Sequence, residues 1–278
     1  MTSYNVKSAH DHGWNPGWFG CEKFGSELVK NIEEFQKDNG LRADGFCGPK
    51  TVKHLREQRI HKQNYIVCGL KHIKIKAKVV LWNDEGGYAS KKGCYRENYS
   101  DRDVRLFVNH WDVCRKSLDT IKILNNRKLS SQFLIDADGA IYQTMNANHV
   151  AFHAGGRTWN NYSVGVEICN PYYLKYQDKT NPRKIVKGAK VHGRTLEDHL
   201  DFHPAQIKSL LQLWKGIHIA YDIPFQTPTK KNGLEFGTVH PASVNLQYQG
   251  FIHHYNLVKG KIDCGGLDLT KLIDKITK

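Results

Sequence analysis

The sequence has 278 residues, 40% of them hydrophobic and 11% aromatic, which is enough to bury a core without disulfide staples and too apolar for a disordered chain. Its net charge of +14 calls for an anionic partner; on charge alone nucleic acid, a membrane surface and bacterial envelope polymers all stay open. No apolar run approaches the roughly 20 residues that span a bilayer.

Met1 to Phe24 lacks a basic start followed by an apolar stretch, so no signal peptide is read there. The expectation is a protein that stays in the cytoplasm where it is made until something else releases it. The seven cysteines are odd in number, irregularly spaced and free of any CxxC pair. That pattern indicates neither a disulfide framework nor a cysteine zinc knuckle, and predicts free thiols, most of them buried.

The first block, residues 1–65, reads as a small all-helical domain. Ser26 can cap a helix with Leu28, Ile32 and Phe35 on one face, ending near Asn39-Gly40. A turn-rich stretch from Leu41 to Thr51 follows, and Pro49 is placed to open a second helix carrying Val52 and Leu55. Two short helices around a glycine loop suit an attached binding module. Residues 66–78, rich in Lys and His, are expected to be a linker.

Residues 79–278 read as a mixed α/β domain, a central β-sheet with packed helices. Strands are predicted at Val79–Trp82, Leu106–His110 and Val164–Ile168. Two more, Gln132–Ile135 and Ala140–Gln143, flank the hairpin signal Asp136-Ala137-Asp138-Gly139. Pro204 opens a helix with Ile207, Leu210, Leu211, Trp214 and Ile217 at a 3.6-residue period.

The sharpest chemical signal is Phe251-Ile252-His253-His254-Tyr255 followed by Lys261-Ile262-Asp263-Cys264. His253 stands ten residues before Asp263, with Lys261 two before it. Catalytic zinc takes three protein ligands and keeps one position open, and a nearby lysine can stabilise an oxyanion. His110, at the end of a predicted strand, is the natural third ligand. Glu167, an acid inside an apolar strand, is costly to bury unless it serves a site as general base. By spacing alone each also has a plain reading: a surface or core-edge histidine among 15, a strand carboxylate paired with a lysine, one cation among 41.

Taken together, these segments resemble the zinc amidase family that includes phage amidase-type lysozymes, bacterial anhydro-muropeptide amidases and peptidoglycan recognition proteins. Four blocks occur in the family's order: Phe107-Val108-Asn109-His110; Phe133 to Gln143; His153-Ala154-Gly155 leading to Asn161 through Glu167; and His253 through Asp263. The resemblance implies zinc on His110, His253 and Asp263, with Glu167 activating water and Lys261 stabilising the tetrahedral oxyanion. His254 is a rival to His253, and Cys264 to Asp263. Ser131 stands where one branch of the family has a tyrosine. The first block resembles the helical peptidoglycan-binding module through Phe35-Gln36, Leu41 to Phe46 and Gly48-Pro49-Lys50-Thr51.

The resemblance implies an endolysin, a zinc-dependent N-acetylmuramoyl-L-alanine amidase of phage type that degrades host peptidoglycan as a monomer. A housekeeping muropeptide amidase and a non-catalytic peptidoglycan recognition protein are the alternatives. Nucleic acid is not an expected partner, since no DNA- or RNA-binding motif is present.

Overall fold

The computed structural model describes residues 1–58 and 64–278. Among the described residues the amino-terminal module has three α-helices, α1 (Thr2–His12), α2 (Ser26–Asp38) and α3 (Pro49–Gln58). Leu28 and Ile32 of α2 bury against Ala9, Trp14, Val52 and Leu55. The predicted cap at Ser26 is not made: Gly25 is the N-cap residue, without a side-chain cap, and Ser26 is the first residue of the helix. The helix ends at Asp38, with Gly40 at φ 65° just beyond it.

Gln36 organises the loop between α2 and α3. Its buried amide donates to Phe46 O at 3.0 Å and Thr51 Oγ1 at 3.0 Å, and accepts from the Asp44 and Gly45 amides at 3.0 Å each. Helix α1 closes over that loop: Asn5 donates to Gly45 O at 2.9 Å and accepts from Cys47 N at 2.9 Å.

The stretch expected to be a linker is instead a hairpin, β1 (Tyr65–Cys68) paired antiparallel with β2 (Lys71–Lys74). Ile66, Cys68 and Ile75 bury in the main core, so the segment is part of the α/β body. Lys71, His72 and Lys74, among the residues that suggested a linker, occupy the hairpin's more exposed strand, while its partner carries the buried Ile66, Val67 and Cys68.

The central sheet contains β3 (Val79–Leu81), β4 (Leu106–Trp111), β5 (Phe133–Ile135), β6 (Ile141–Gln143), β7 (Ser163–Ile168) and β8 (Gly250–His253). Helix α4 (Ser117–Asn126) follows β4, α5 (Pro204–Tyr221) lies between β7 and β8, and α6 (Leu269–Thr277) ends the chain. The strand order is β8-β4-β7-β5-β6-β3, and only the β5–β6 pair is antiparallel. Phe107, Val164, Val166 and Phe251 face α5, where Leu210, Leu213, Trp214 and Ile217 are buried. The hairpin approaches α5 at Gly216, where a Cβ would meet Ile66 Cδ1 at 2.8 Å and Ile75 Cγ2 at 2.9 Å.

On the opposite face α4 packs Ile121 and Leu124 on Leu134, while Leu106, Val108 and Ile252 form a second apolar patch. The functional residues lie on this face.

The module docks on the α/β body through polar contacts. Trp82 Nε1 donates to Asp11 O at 2.7 Å, and the Arg56 guanidinium, which donates to His12 O at 2.9 Å within the module, pairs across with Asp84. All seven cysteines are free and six are buried, as expected; Cys114 is half-buried. Among the described residues no helix is long and apolar enough to cross a membrane.

Candidate metal centre and cleft

Period-two alternation along the strands sets which side chains meet. In β4, Leu106 and Val108 face away from α5, and His110 follows them on that side. In β7, Val164, Val166 and Ile168 pack toward α5, which leaves Ser163, Gly165 and Glu167 on the cleft side. His110 and Glu167 are direct register partners across the β4–β7 pair.

Strand β8 brings Ile252 to the same face as Val108, and His254, two residues on, reaches His110. His110 Nδ1, His254 Nδ1 and Asp263 Oδ2 are mutually 3.0 Å apart. All three residues are buried.

The expected ligand His253 is not part of this group. It follows Phe251 to the other face of the sheet, where Nε2 lies 3.4 Å from Glu235 Oε1 and the ring stacks on Tyr255 at 4.5 Å. A ten-residue step to Asp263 favoured His253; strand alternation overrides it and brings in His254. Asp263, not Cys264, faces the cluster. The Cys264 thiol is buried in the main core, and burial, with Asp263 nearby, raises it well above the usual thiol range.

Two imidazole nitrogens and a carboxylate oxygen converging at 3.0 Å present more lone pairs than protons can satisfy. A tetrahedral ion with bonds of about 2.0–2.1 Å separates its ligand atoms by roughly 3.3 Å, close to this spacing. The three residues therefore fit a metal ion of zinc's size and donor preference. Burial, reinforced by His254, lowers His110 to about 4, so its imidazole is neutral and able to ligate. Burial alone would raise the Asp263 carboxyl, but His110 and His254 outweigh it and hold the group well below the usual carboxylate range.

The centre opens into a cleft of ≈ 260 Å³ that Glu167, Lys261, His153, Asp112 and Arg127 also line. Burial, with Asp112 and Asp263 nearby, raises the Glu167 carboxyl well above its ordinary value. Burial also raises Asp112 to about 6, although it accepts hydrogen bonds from Thr120 and from the Cys114 and Asn170 amides. Of the expected site residues, the cleft thus gathers His110, Asp263, Glu167 and Lys261 and leaves out His253.

Three of these cleft residues, His153, Asp112 and Arg127, had no role in the sequence reading. His153 lies within one of the four blocks, and its Nδ1 is 3.0 Å from His110 Nε2. Asp112 directly follows β4, and nothing in its spacing marked it.

The family model described as N-acetylmuramoyl-L-alanine amidase matches residues 100–264, more than half of the chain. A peptidoglycan binding domain family matches residues 21–55. No protein of curated description matches the sequence. Similar solved structures include the Ph2119 endolysin from Thermus scotoductus MAT2119 bacteriophage Ph2119, at 16% identity and TM-score 0.41, covering 72% of this chain and 100% of that one. Another is the endolysin N-acetylmuramoyl-L-alanine amidase LysCS from Clostridium intestinale URNW, at 16% identity and TM-score 0.41, with coverage of 72% and 95%. The N-acetylmuramyl-L-alanine amidase AmiD from E. coli is similar at 23% identity and TM-score 0.33, covering 50% of this chain and 55% of that one.

Proposed function

Since the chain belongs to the N-acetylmuramoyl-L-alanine amidase family and carries a peptidoglycan-binding module at its amino end, we propose that it is a zinc-dependent endolysin. It cuts the amide bond between N-acetylmuramic acid and L-alanine in polymeric wall, reaching the wall from the host cytoplasm after release and lysing the cell. The observation that carries this reading is the convergence of His110, His254 and Asp263 in one cleft with Glu167 and Lys261.

His110, His254 and Asp263 would hold the ion. Zinc bound there supplies Lewis acidity, polarising the scissile carbonyl and making water more acidic. Glu167 takes the proton from the attacking water and delivers it to the departing L-alanine nitrogen. Its raised proton affinity, from burial beside Asp112 and Asp263, suits it to hold that proton between the two transfers. Lys261 offers a fixed positive charge to the oxyanion that develops on the carbonyl oxygen. The amino-terminal module holds the enzyme on insoluble wall, and the net charge of +14 aids approach to anionic envelope polymers.

Purified protein should clear wall suspensions, lose that activity with a chelator and regain it with zinc. It should release L-alanine amino groups without new reducing sugar ends; reducing ends alone would mean a glycosidase and end this reading.

A further inference from the structure

The protonation pattern around His110 can be followed outward from a group that cannot donate. Ser163 Oγ lies 2.7 Å from the Trp159 carbonyl oxygen, so the single hydroxyl proton of Ser163 points there. Ser163 Oγ is also 3.3 Å from His153 Nε2. With its proton committed, the hydroxyl can only accept, which puts a proton on His153 Nε2 and leaves His153 Nδ1 bare. His153 Nδ1 is 3.0 Å from His110 Nε2 and must accept from it. His110 then carries its proton on Nε2, and its Nδ1 lone pair points at His254 Nδ1 and Asp263 Oδ2.

The surroundings hold this chain of bonds in place. The amides of His153 and Ala154 donate to Asn160 Oδ1 at 3.1 and 2.7 Å, fixing the backbone that carries the imidazole. Its ring lies directly on β7 at Gly165, where any Cβ would come within 2.6 Å of His153 Nδ1. The glycine in Val164-Gly165-Val166-Glu167 is thus the space that the His153 ring occupies.

We propose that Ser163 and His153 form a directional hydrogen-bond relay, anchored on the Trp159 carbonyl, that sets the tautomer of His110 and presents its bare Nδ1 to the metal. Both are positioning residues, acting through His110. The inference rests on the reading of His110 as a ligand. Outer partners that fix a ligating histidine are typically worth about 10- to 100-fold in metal affinity.

The test uses the full-length chain in two measurements. In the metal-free protein labelled with ¹⁵N, two-bond proton–nitrogen correlations should show His110 and His153 both protonated at Nε2; a proton on His110 Nδ1 overturns the relay. Zinc affinity is then measured by chelator competition on wild type and variants. His153→Phe keeps the ring's bulk without an acceptor and should lose about 10- to 100-fold in affinity. His153→Asn places an amide oxygen near the position of Nδ1 and should recover most of it, and Ser163→Ala should fall between. Equal affinities for the Phe and Asn variants would reduce His153 to a space filler and overturn the relay. Wild type that binds no zinc would instead defeat the metal reading, while the metal-free spectrum still reports the tautomer.

Discussion

His253 and His254 are consecutive residues that serve opposite faces of the central sheet. His254 Nδ1 lies 3.0 Å from both His110 Nδ1 and Asp263 Oδ2, whereas His253 Nε2 lies 3.4 Å from Glu235 Oε1. One strand end thus supplies a candidate ligand to the cleft and a packing residue to the other side. Glu235 also accepts from the Leu269 amide at 2.6 Å, linking His253 to the start of the last helix.

That division predicts different outcomes for two adjacent substitutions. His254→Ala should abolish stoichiometric zinc and wall hydrolysis together. His253→Ala should keep zinc near one equivalent and lower unfolding stability by about 1–3 kcal/mol, the usual cost of truncating a buried, partnered side chain. Elemental analysis with urea denaturation separates them; the reverse pattern would return His253 to the centre.

Glu167→Gln tests the role of the general base. The substitution keeps the shape of the side chain on β7 and removes the proton acceptor, while the proposed metal ligands His110, His254 and Asp263 are untouched. Zinc content should be unchanged and kcat should fall by about 10²- to 10⁴-fold. Loss of zinc in this variant would make Glu167 part of the metal site instead.

Strand periodicity made much of the catalytic body legible. Val164, Val166 and Ile168 in β7 and Leu210, Trp214 and Ile217 of the α5 stripe are buried where the pattern put them, with Ile207 and Leu211 partly buried beside them. The same periodicity contained the choice of His254, because Val108, His110, Ile252 and His254 share one face, but a spacing rule taken from the lysine and aspartate was preferred to it. Helix α1 gave no apolar period because it buries Asn5, Ser8, Ala9 and His10, residues held by specific hydrogen bonds and close packing. The β1–β2 hairpin was hidden by Lys71 and Lys74, exposed residues at the ends of a strand whose partner carries the buried Ile66, Val67 and Cys68. The relay through Ser163 and His153 depends on three-dimensional proximity across a short helix, Arg157–Asn161, that no one-dimensional spacing reports.

Gln36 offers a way to separate wall binding from catalysis. Its side chain satisfies the amides of Asp44 and Gly45 and two further groups inside the module, far along the chain from the cleft residues. Gln36→Ala leaves buried donors unpaired, at a cost of about 1–3 kcal/mol for each group left without a partner. Retention on insoluble wall should fall while zinc content and cleavage of soluble muropeptides persist. Equal loss on both substrates would mean that the module supports the fold of the cleft as well as adhesion.

His149 should make stability depend on pH below neutrality. Burial is the main cause that lowers it to about 4, against weaker opposing effects from Asp11, the Asn98 backbone and Glu97 and a reinforcing one from His10. Its Nδ1 lies 3.0 Å from the Asn98 amide nitrogen and 3.1 Å from the Asn98 carbonyl oxygen, and its ring stacks on Tyr95 at 5.4 Å and meets the edge of Tyr99 at 5.5 Å. Between pH 6.5 and about 4 the unfolded chain takes up a proton that the folded imidazole refuses, so stability rises with pH across that window. The contribution is complete above the unfolded value of 6.5 and is lost as the pH falls toward 4; it amounts to roughly 3 kcal/mol. His149→Gln, which cannot titrate, should be less stable than wild type at pH 7 and show a flatter decline between pH 6.5 and 4. Urea midpoints across that range provide the measurement, and curves that run parallel for the two proteins would exclude His149 as the titrating group.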